Sequence, residues 1–532
     1  MKVFSLIFVG FFVIVFVDVV QPANVLLSAE YGAGSHFLLF AKMGEELVNR
    51  GHNVTFLIGQ AYAYRIHQAQ YKDLFNFVII DHARPHSEVF GAFKKFGGLY
   101  SHSSIAQVFS YEDAIRDVYL DDCRKVLADD ALTSTLAHSN YDIVVFDVIW
   151  MCGALIAQKL TIPSVAVVAG LAMQTAYPYA GIPINPAYMP IVSTGFSNHM
   201  NFFERLVNLF MVWMVHYGQG TPYYTGKHFS PIKDEFNIRP DLSMDELLSE
   251  VDMWFVANDF ALEFSAPLTP NVIPVGGFTA GPAGNLSKEL VDYIDSAGDH
   301  GIIIFTLGTY CAAVDQSILK IFADAFAEVD QKIIWQIEDT MKRSLNFDIP
   351  DNVKMFPWIP QNNLLGHSKT RLMMYHGGNN GLHEALYHGV PLIMVPIIGD
   401  QHDTATRVVE RGTGLRITRQ ELSKLQVVDS LKEVLSNNKY KEKALQLSSI
   451  YRHRPQTATE RAAFWIEHVI QFGGQYMKSP VPNISLFKLY LIDIILFLAL
   501  IGGMFFYVIY RVARVLFALL WNTNFEVKYK RS

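Results

Sequence analysis

Cysteine is scarce in this chain of 532 residues, where it occurs three times, as Cys123, Cys152 and Cys311, with no CxxC pairing. A structural zinc site and a disulfide framework both need more thiols at closer spacing. The sequence therefore argues against both. It leaves open a single bridge if the chain passes through an oxidising compartment.

Charged residues are few as well, at 17% of the chain, and positive charge is not in excess, because the formal net charge is -7. Nucleic-acid binding needs a concentrated basic face, so we expect no nucleic-acid partner. Hydrophobic residues make up 51%, which excludes intrinsic disorder and suggests contact with a membrane. The length predicts roughly two to four domains.

Residues 1–23 have the features of a secretory signal peptide. Met1 and Lys2 give a short positive start, residues 3–20 are nearly all apolar, and Ala23 is a small residue for cleavage. Gln21 departs from the pattern, since a small residue is preferred there. The alternatives are an uncleaved anchor and a first core strand.

A second apolar run lies at residues 489–510. As a helix its 22 residues would span the ~30 Å hydrocarbon core of a bilayer. Arg511 and Arg514 follow at once, and positive residues favour the cytoplasmic side. We expect a transmembrane helix at 489–510, a cytoplasmic basic tail at 511–532 and a lumenal part ahead of them.

The tail ends with Lys528 and Lys530 at the fifth and third positions from the C-terminus. This spacing resembles a dilysine signal that retrieves membrane proteins to the endoplasmic reticulum; the alternative is a basic cluster that stops transfer. We expect a single-pass type I protein of the endoplasmic reticulum membrane, with membrane lipid as a partner.

Between the two ends, short apolar strands alternate with helices, which is typical of doubly wound parallel sheets. One series has strands at 24–28, 54–58, 143–146 and 164–168 and a helix at 37–50. A second has strands at 302–307, 332–336, around Met355, at 372–375 and at 392–396. A Gly/Pro-rich stretch at 272–284 reads as a linker. We expect an α/β fold with two Rossmann-like domains facing a cleft, at 24–275 and 285–480, joined by a linker at 276–284.

Residues 358–401 hold the most informative motif. The strand at 372–375 leads into a glycine turn that opens a helix, and a helix start presents free N–H groups to an anion. Gly377 and Gly378 let the backbone approach a phosphate, while His376 and Asn380 add side-chain donors.

Other residues of this motif suit the rest of a nucleotide sugar. Glu384 lies about one turn into the helix, where it can accept from ribose hydroxyls. Asp400 and Gln401 lie beyond the next strand, at the edge where α/β sheets place ligands, and suit hexose hydroxyls. Trp358 offers a flat face for a base. Each signal is weak alone; their order and spacing carry the prediction.

The stretch WIPQNNLLGHSKTRLMMYHGGNNGLHEALYHGVPLIMVPIIGDQ resembles the signature of the UDP-glycosyltransferase family, the UDP-glucuronosyltransferases of animals in particular. GSH at 34–36, RGHNVTFL at 50–57, FTLGTY at 305–310 and ERAAFWIEHVI at 460–470 extend the likeness. The resemblance implies the GT-B fold, with the UDP-sugar in the C-terminal half and the acceptor in the N-terminal half. It also implies donor-binding roles: Trp358 and Gln361 for uracil, Thr309, His376 and Asn380 for the diphosphate, Glu384 for the ribose, and Asp400 and Gln401 for the sugar.

In that family a His after the first strand is the general base and an Asp after a later strand orients it; the matching positions are His36 and Asp147. An acceptor hydroxyl must lose its proton as it attacks the anomeric carbon, and a neutral imidazole can take it. One displacement inverts that carbon. No DxD-type carboxylate pair is placed for Mg²⁺, so we expect no metal and no cofactor besides the co-substrate, UDP-glucuronate or UDP-glucose.

Three residues depart from the family's pattern. Asn379 stands where Ser or Thr is usual, and Tyr375 stands where Thr is common. Ala266 stands where the vertebrate glucuronosyltransferases carry an Arg, which weakens the case for a carboxylate-bearing sugar. We therefore expect hexosyl transfer, with glucosyl and glucuronosyl donors equally open.

The acceptor is the least constrained substrate. Residues 172–218 are rich in Met, Tyr, Phe and Pro, which suits an apolar pocket for small lipophilic hydroxyl compounds. Within them, residues 202–217 are too apolar for an ordinary surface helix and could lie at the membrane interface, over the pocket or in the core. Two alternatives stay open: a membrane glycosyltransferase for lipid or protein glycans, and a catalytically inactive nucleotide-sugar-binding membrane protein. A homo-oligomer is open too.

Three glycosylation sequons occur, at Asn53, Asn285 and Asn483. Asn285 is the predicted site, because it adjoins the Gly/Pro-rich stretch. We expect Asn53 to begin a buried strand and Asn483 to lie too close to the membrane.

Overall fold

The computed structural model of the protein describes residues 21–29, 34–85, 87–89, 91, 105–170, 174, 176–216, 226–308, 314–397 and 399–529. Most of the predicted signal peptide, the last three residues of the predicted tail and Thr309 lie outside these ranges.

The first half is built on a seven-stranded sheet in the order β3-β2-β1-β4-β5-β6-β7. The strands are β1 (Asn24–Ser28), β2 (Asn53–Gly59), β3 (Asn76–Ile80), β4 (Ile143–Asp147), β5 (Ser164–Val168), β6 (Met253–Val256) and β7 (Val272–Pro274). All pairs are parallel, and β4, β5 and β6 are buried along their whole length, because helices cover both faces. The strand order reverses between β1 and β4, so a crevice opens beyond their carboxyl ends.

The helices of the first half connect these strands. They are α1 (Gly34–Asn49), α2 (Ile105–Ala128), α3 (Asp130–His138), α4 (Cys152–Leu160), α5 (Tyr177–Ala180), α6 (Phe202–His216), α7 (Ser230–Glu235) and α8 (Met244–Ser249). Helix α1 begins three residues earlier than the sequence predicts, so Ser35 and His36 lie in its first turn.

The second half is a six-stranded parallel sheet in the order β10-β9-β8-β11-β12-β13. Its strands are β8 (Ile302–Thr306), β9 (Lys332–Gln336), β10 (Val353–Phe356), β11 (Thr370–Tyr375), β12 (Leu392–Met394) and β13 (Gly414–Arg416). Here the order reverses between β8 and β11, which places a second crevice beyond their ends. The two predicted Rossmann-like sheets are confirmed.

The remaining helices follow in chain order. They are α9 (Lys288–Asp295), α10 (Gln316–Phe326), α11 (Asp339–Ser344), α12 (Gln361–Leu365), α13 (Asn379–His388), α14 (Gln401–Glu410), α15 (Lys424–Ser436), α16 (Asn438–Arg452), α17 (Ala458–Phe472), α18 (Leu486–Leu489) and α19 (Ile492–Tyr529).

The stretch at 272–284, interpreted from sequence as a linker, begins as a strand. Val272 and Ile273 of β7 pair with Trp254 and Phe255 of β6, and the glycines follow this strand. The Gly/Pro content therefore indicates a linker only in the second part of the stretch, after β7. The exact limits of the domains stay predictions.

Helix α17 returns to the first half although it follows the second sheet in the chain. Ala462, Ile466 and Val469 are fully buried in the core that includes Phe40 and Leu47 of α1. Glu467 on the same helix accepts from Arg50 at 3.1 Å. The segment predicted as one domain at 285–480 thus contributes a helix to the core of the other half.

One helix among the described residues is long and apolar enough to cross a membrane, at 492–521 within α19. The predicted span at 489–510 starts three residues too early, because Leu491, with φ of 53°, separates α18 from α19. The helix continues beyond the predicted end of the span, through Arg511 and Arg514 to Tyr529, so much of the predicted tail is helical.

Cys123 and Cys152 form a disulfide that joins α2 to the start of α4. The sequence left open a single bridge, and the structure contains one.

Replacing Ile466 by Ala tests the attachment of α17 to the first half. The substitution removes buried methyl groups from a filled core, so we expect a loss of about 2–5 kcal/mol in unfolding free energy. Thermal unfolding of the full chain should show a lower midpoint than for the control Leu425→Ala, whose side chain is 69% exposed. Equal midpoints for the two variants would contradict this packing.

Candidate functional site

A cavity of about 360 Å³ lies between the carboxyl edges of the two sheets. Ser35, Leu38 and Tyr71 of the first half line one side, and Trp358, Glu384 and other residues of the second half line the opposite side. Both crevices created by the strand order therefore open into one space.

His36 and Asp147 meet at the first-half side of this space. Nδ1 of His36 lies 2.5 Å from Oδ2 of Asp147, although the residues are 111 positions apart. Asp147 ends β4 and is fully buried, while the His36 side chain, one residue after the cavity-lining Ser35, is 19% exposed. The other carboxylate oxygen accepts from the amide of Ile149, so the fold holds the carboxylate from two directions.

This geometry selects one tautomer of the His36 ring. A buried carboxylate on Nδ1 favours a proton on that nitrogen and places the lone pair of a neutral ring on Nε2. A ring so oriented can accept a proton, and the carboxylate stabilises the imidazolium that results.

The turn after β11 is the predicted phosphate loop. Gly377 has φ of +112°, a conformation that favours glycine, and the space is tight, because a Cβ there would lie 3.2 Å from Cβ of Gln401. Gly378 precedes α13 without a side-chain cap, and Gly378, Asn379, Asn380 and Gly381 line the cavity. The N–H groups of a helix start therefore lie at the cavity wall, which suits an anion.

His376 packs on a second glycine loop. A Cβ on Gly308, which has φ of +83°, would collide with the His376 ring. Burial lowers the pKa of His376 to about 4, against the opposing effect of the Thr306 carbonyl, so the ring is neutral near pH 7. Its Nδ1 is buried and has no hydrogen-bond partner.

Gln361 and Glu384 form a pair at the cavity wall near Trp358. Nε2 of Gln361 donates to Oε2 of Glu384 at 2.7 Å. Burial raises the pKa of Glu384 to about 7, although the hydrogen bond from Gln361 favours the ionised form. Trp358 is 58% exposed, so its ring is open to a ligand.

Asp400 and Gln401 lie where the sequence places them, at the start of α14. The amide oxygen of Gln401 accepts from the backbone N–H of Ile397 at 2.8 Å, so part of its hydrogen-bonding capacity is already used. Asp400 faces the first half: a Cβ on Gly170 would lie 2.8 Å from its carboxylate.

Two asparagines at the start of α13 hold the first half. Nδ2 of Asn379 donates to the carbonyls of Ala257, at 2.7 Å, and Ala169, at 3.3 Å. Nδ2 of Asn380, predicted to hold the diphosphate, donates to the carbonyl of Ser35 at 3.1 Å. From sequence, Asn379 stands out only as a departure from the family's pattern. Local residue spacing cannot indicate hydrogen-bond partners that lie more than 100 positions away in the chain.

A buried ionic group lies beside these contacts. Nη2 of Arg407 is 2.6 Å from Oε1 of Glu263, and both side chains are 4% exposed. Asp403, one turn earlier on α14, accepts from the amides of Ser193 and Gly195 at 2.6 and 2.8 Å. Burial raises the pKa of Asp403 to about 7, against the opposing charge of Arg407.

The remaining predicted positions have mixed outcomes. Thr309 lies outside the described residues. Asn285 is exposed, and so are Asn483 and Asn53. Asn53 begins the buried strand β2, as predicted; it is the exposed first residue of that strand, and its side-chain amide donates to Asn24. Among the described residues, no group of three or more His, Cys, Asp or Glu could hold a metal ion.

The chain matches the family described as "UDP-glucoronosyl and UDP-glucosyl transferase" over residues 24–525. It is 31% identical to UDP-glucuronosyltransferase 2B18 of Macaca fascicularis over 488 residues, which cover 88% of each chain. It is 30% identical to UDP-glucuronosyltransferase 2B15 of Rattus norvegicus over 474 residues, covering 87% of this chain and 88% of the relative.

Solved glycosyltransferases have the same fold. The glycotransferase of kitacinnamycin superposes with a TM-score of 0.59 at 20% identity, covering 85% of this chain and all of the other. Os79 from O. sativa in complex with UDP gives 0.56 at 16% identity, covering 84% and 100%. The predicted GT-B class is confirmed. By the family match, which spans nearly the whole chain, this protein belongs to the UDP-glucoronosyl and UDP-glucosyl transferase family and is a UDP-glycosyltransferase that takes its sugar from a UDP-sugar.

Proposed function

We propose that this enzyme transfers a hexosyl group, with inversion, from a UDP-sugar to a hydroxyl of a small lipophilic acceptor. His36 is the general base and Asp147 orients it. The observation that carries the proposal is the 2.5 Å contact between Nδ1 of His36 and the buried Asp147 carboxylate, next to the cavity-lining Ser35.

The reaction is a single displacement. The acceptor oxygen attacks the anomeric carbon as its proton passes to Nε2 of His36, and the bond from that carbon to the UDP oxygen breaks. The Asp147 carboxylate stabilises the imidazolium, and the start of α13 with Asn380 and His376 faces the charge on UDP. An axial sugar–phosphate bond thus yields an equatorial glycoside.

The neighbours of His36 support an apolar acceptor. Leu38 and Tyr71 line the cavity on its side. Burial raises the pKa of the Tyr71 hydroxyl, so it stays protonated and uncharged near pH 7. Such a lining favours a phenol or a steroid alcohol over a polar glycan chain.

The charges of the described lining residues favour a donor whose sugar is uncharged, UDP-glucose, over UDP-glucuronate, whose sugar carries a carboxylate. Lys42 is the lining cation in this set, and its Nζ is 2.7 Å from the Glu45 carboxylate. Arg407 is likewise paired, with Glu263. A sugar carboxylate buried here would lack a matched cation, which costs free energy.

We also propose that the described residues ahead of the membrane helix, up to residue 488, lie in the lumen of the endoplasmic reticulum, that α19 anchors them, and that Asn285 is glycosylated. The bridge between Cys123 and Cys152 supports a lumenal location, because disulfides persist in oxidising compartments. Exposure of Asn285 supports its glycosylation.

Replacing His36 by Ala should lower kcat by about 10²- to 10⁴-fold, because the acceptor proton loses its base. Asp147→Asn should lower kcat as well, through loss of ring orientation and charge. Turnover of a small phenol with UDP-glucose, in membranes containing the full chain, measures both effects. The control His300→Ala changes a histidine that is 60% exposed and should keep the wild-type rate. A wild-type rate in His36→Ala would rule out the general-base role.

The pKa of Glu384 predicts a pH dependence of donor binding. Ribose hydroxyls donate to the ionised carboxylate, so binding favours the form that populates above about pH 7 and releases a proton. The affinity for UDP-glucose should therefore rise by about tenfold from pH 6 to pH 8. Calorimetry without acceptor measures it, and Glu384→Gln should bind more weakly with a flatter profile. An identical slope in wild type and variant would exclude Glu384 as the titrating group.

The donor preference has a direct measurement. We expect kcat/KM for UDP-glucose to exceed that for UDP-glucuronate by at least about tenfold, which corresponds to 1.4 kcal/mol. The same membranes and the same phenol serve for both donors. Preference for UDP-glucuronate would contradict the proposal of an uncharged donor sugar.

A further inference from the structure

Helix α6 turns its apolar face away from the protein. Six of its side chains are each more than half exposed: Phe202, Phe203, Leu206, Leu209, Phe210 and Trp213. The positions 202, 206, 209 and 213 follow the helical repeat, so these side chains form one continuous stripe.

The inward face of α6 is anchored by a polar residue. Asn208 is fully buried; its Nδ2 donates to the carbonyls of Pro186 and Met189 at 2.8 and 2.9 Å, and its Oδ1 accepts from the amide of Ile191 at 2.8 Å. These three hydrogen bonds fix the rotation of the helix. The buried hydrogen bonds of Asn208 therefore hold the apolar stripe toward the outside. An ordinary surface helix turns its apolar face inward.

The segment that holds α6 also contacts the chain just ahead of the membrane helix. A Cβ on Gly181 would lie 2.7 Å from Oγ of Ser479 and 2.9 Å from Cδ of Pro482, so these two side chains pack closely on the Gly181 backbone. Eight residues separate Asn483 from Ile492, the start of the candidate span. At no more than about 3.5 Å per residue, this tether keeps the contact within roughly 30 Å of the bilayer.

The tether contains further exposed apolar residues. Leu486 and Phe487 are each 48% exposed, and Tyr490 is 55% exposed. Trp and Tyr are favoured at the boundary between lipid headgroups and hydrocarbon, and Trp, Phe and Leu form the apolar face of helices that lie there. The stripe on α6 has the same chemistry, with three Phe and one Trp.

We propose that the apolar stripe of α6 lies in the interfacial layer of the bilayer, as a second membrane contact beside the anchor α19. Lipid covers the stripe in this proposal, because α19 keeps a bilayer within reach at any protein concentration. A second copy of the chain could cover it only after the two copies associate. This inference is independent of the donor, the acceptor and the catalytic pair.

Spin labels on the full chain in phosphatidylcholine vesicles test the proposal. Cys123 and Cys152 are bonded to each other, so Cys311→Ser leaves no reactive thiol in the background. Labels are attached at Phe210→Cys or Trp213→Cys on the stripe and at Leu425→Cys as the control, an exposed residue of α15. Collisions with oxygen, which dissolves in lipid, and with a water-soluble nickel chelate are measured for each label, after calorimetry confirms UDP-glucose binding.

Labels on the stripe should collide readily with oxygen. Their collision rate with the nickel chelate should be at least about tenfold lower than that of the label at position 425. Two results would overturn the proposal. Nickel access at the stripe equal to that at 425 would show a stripe in water. Shielding from both reagents, with spin–spin broadening between labels, would show a second copy of the chain on the stripe.

Discussion

Arg407 and Glu263 form a buried ion pair across the two halves, and the shape of the active site depends on it. Each member of the pair makes a further hydrogen bond: Arg407 donates to the Asp403 carbonyl, and the Glu263 carbonyl accepts from Arg411. Removing one member of such a pair leaves a charge without a partner in a low-dielectric interior, at a typical cost of about 3–5 kcal/mol. Separating the two halves would break the pair, so the pair favours the observed distance between the two sheets. The width of the cavity between them follows from that distance.

The hydrogen bonds from α13 act in the same direction and closer to the chemistry. Asn379 holds the ends of β5 and β6, and Asn380 holds the first turn of α1, which carries His36. The predicted phosphate loop and the proposed general base are therefore separated by one side chain and one peptide. If Asn380 binds the diphosphate as predicted, a donor that draws it away would loosen the contact to Ser35, and donor binding would then be coupled to the position of His36.

The sequence predicts those parts of the site that form locally. A buried strand, a glycine turn and a helix start are specified by neighbouring residues, and so the loop at 376–380 and the end of β4 at Asp147 could be located without a structure. The partners across the cleft could not, because hydrogen bonds such as Asn380 to Ser35 depend on how two sheets face each other. Helix α17 shows the same limit: its apolar residues predict a buried face but not which half buries it. The start of α1 was misplaced because Gly34 and Ser35 are weak helix formers, and tertiary contacts override that preference.

The loop at 191–195 connects α6 to α14. The amide of Ile191 is held by Asn208 of α6, and the amides of Ser193 and Gly195 are held by Asp403 of α14. Thr406 adds a hydrogen bond to the Gly195 carbonyl at 2.7 Å. Because α14 also begins with Asp400 and Gln401, the predicted sugar-binding residues, a bilayer that fixed α6 would restrain the loop that contacts α14. The membrane would then be part of what keeps the cleft closed around the sugar, in addition to the ion pair between Arg407 and Glu263.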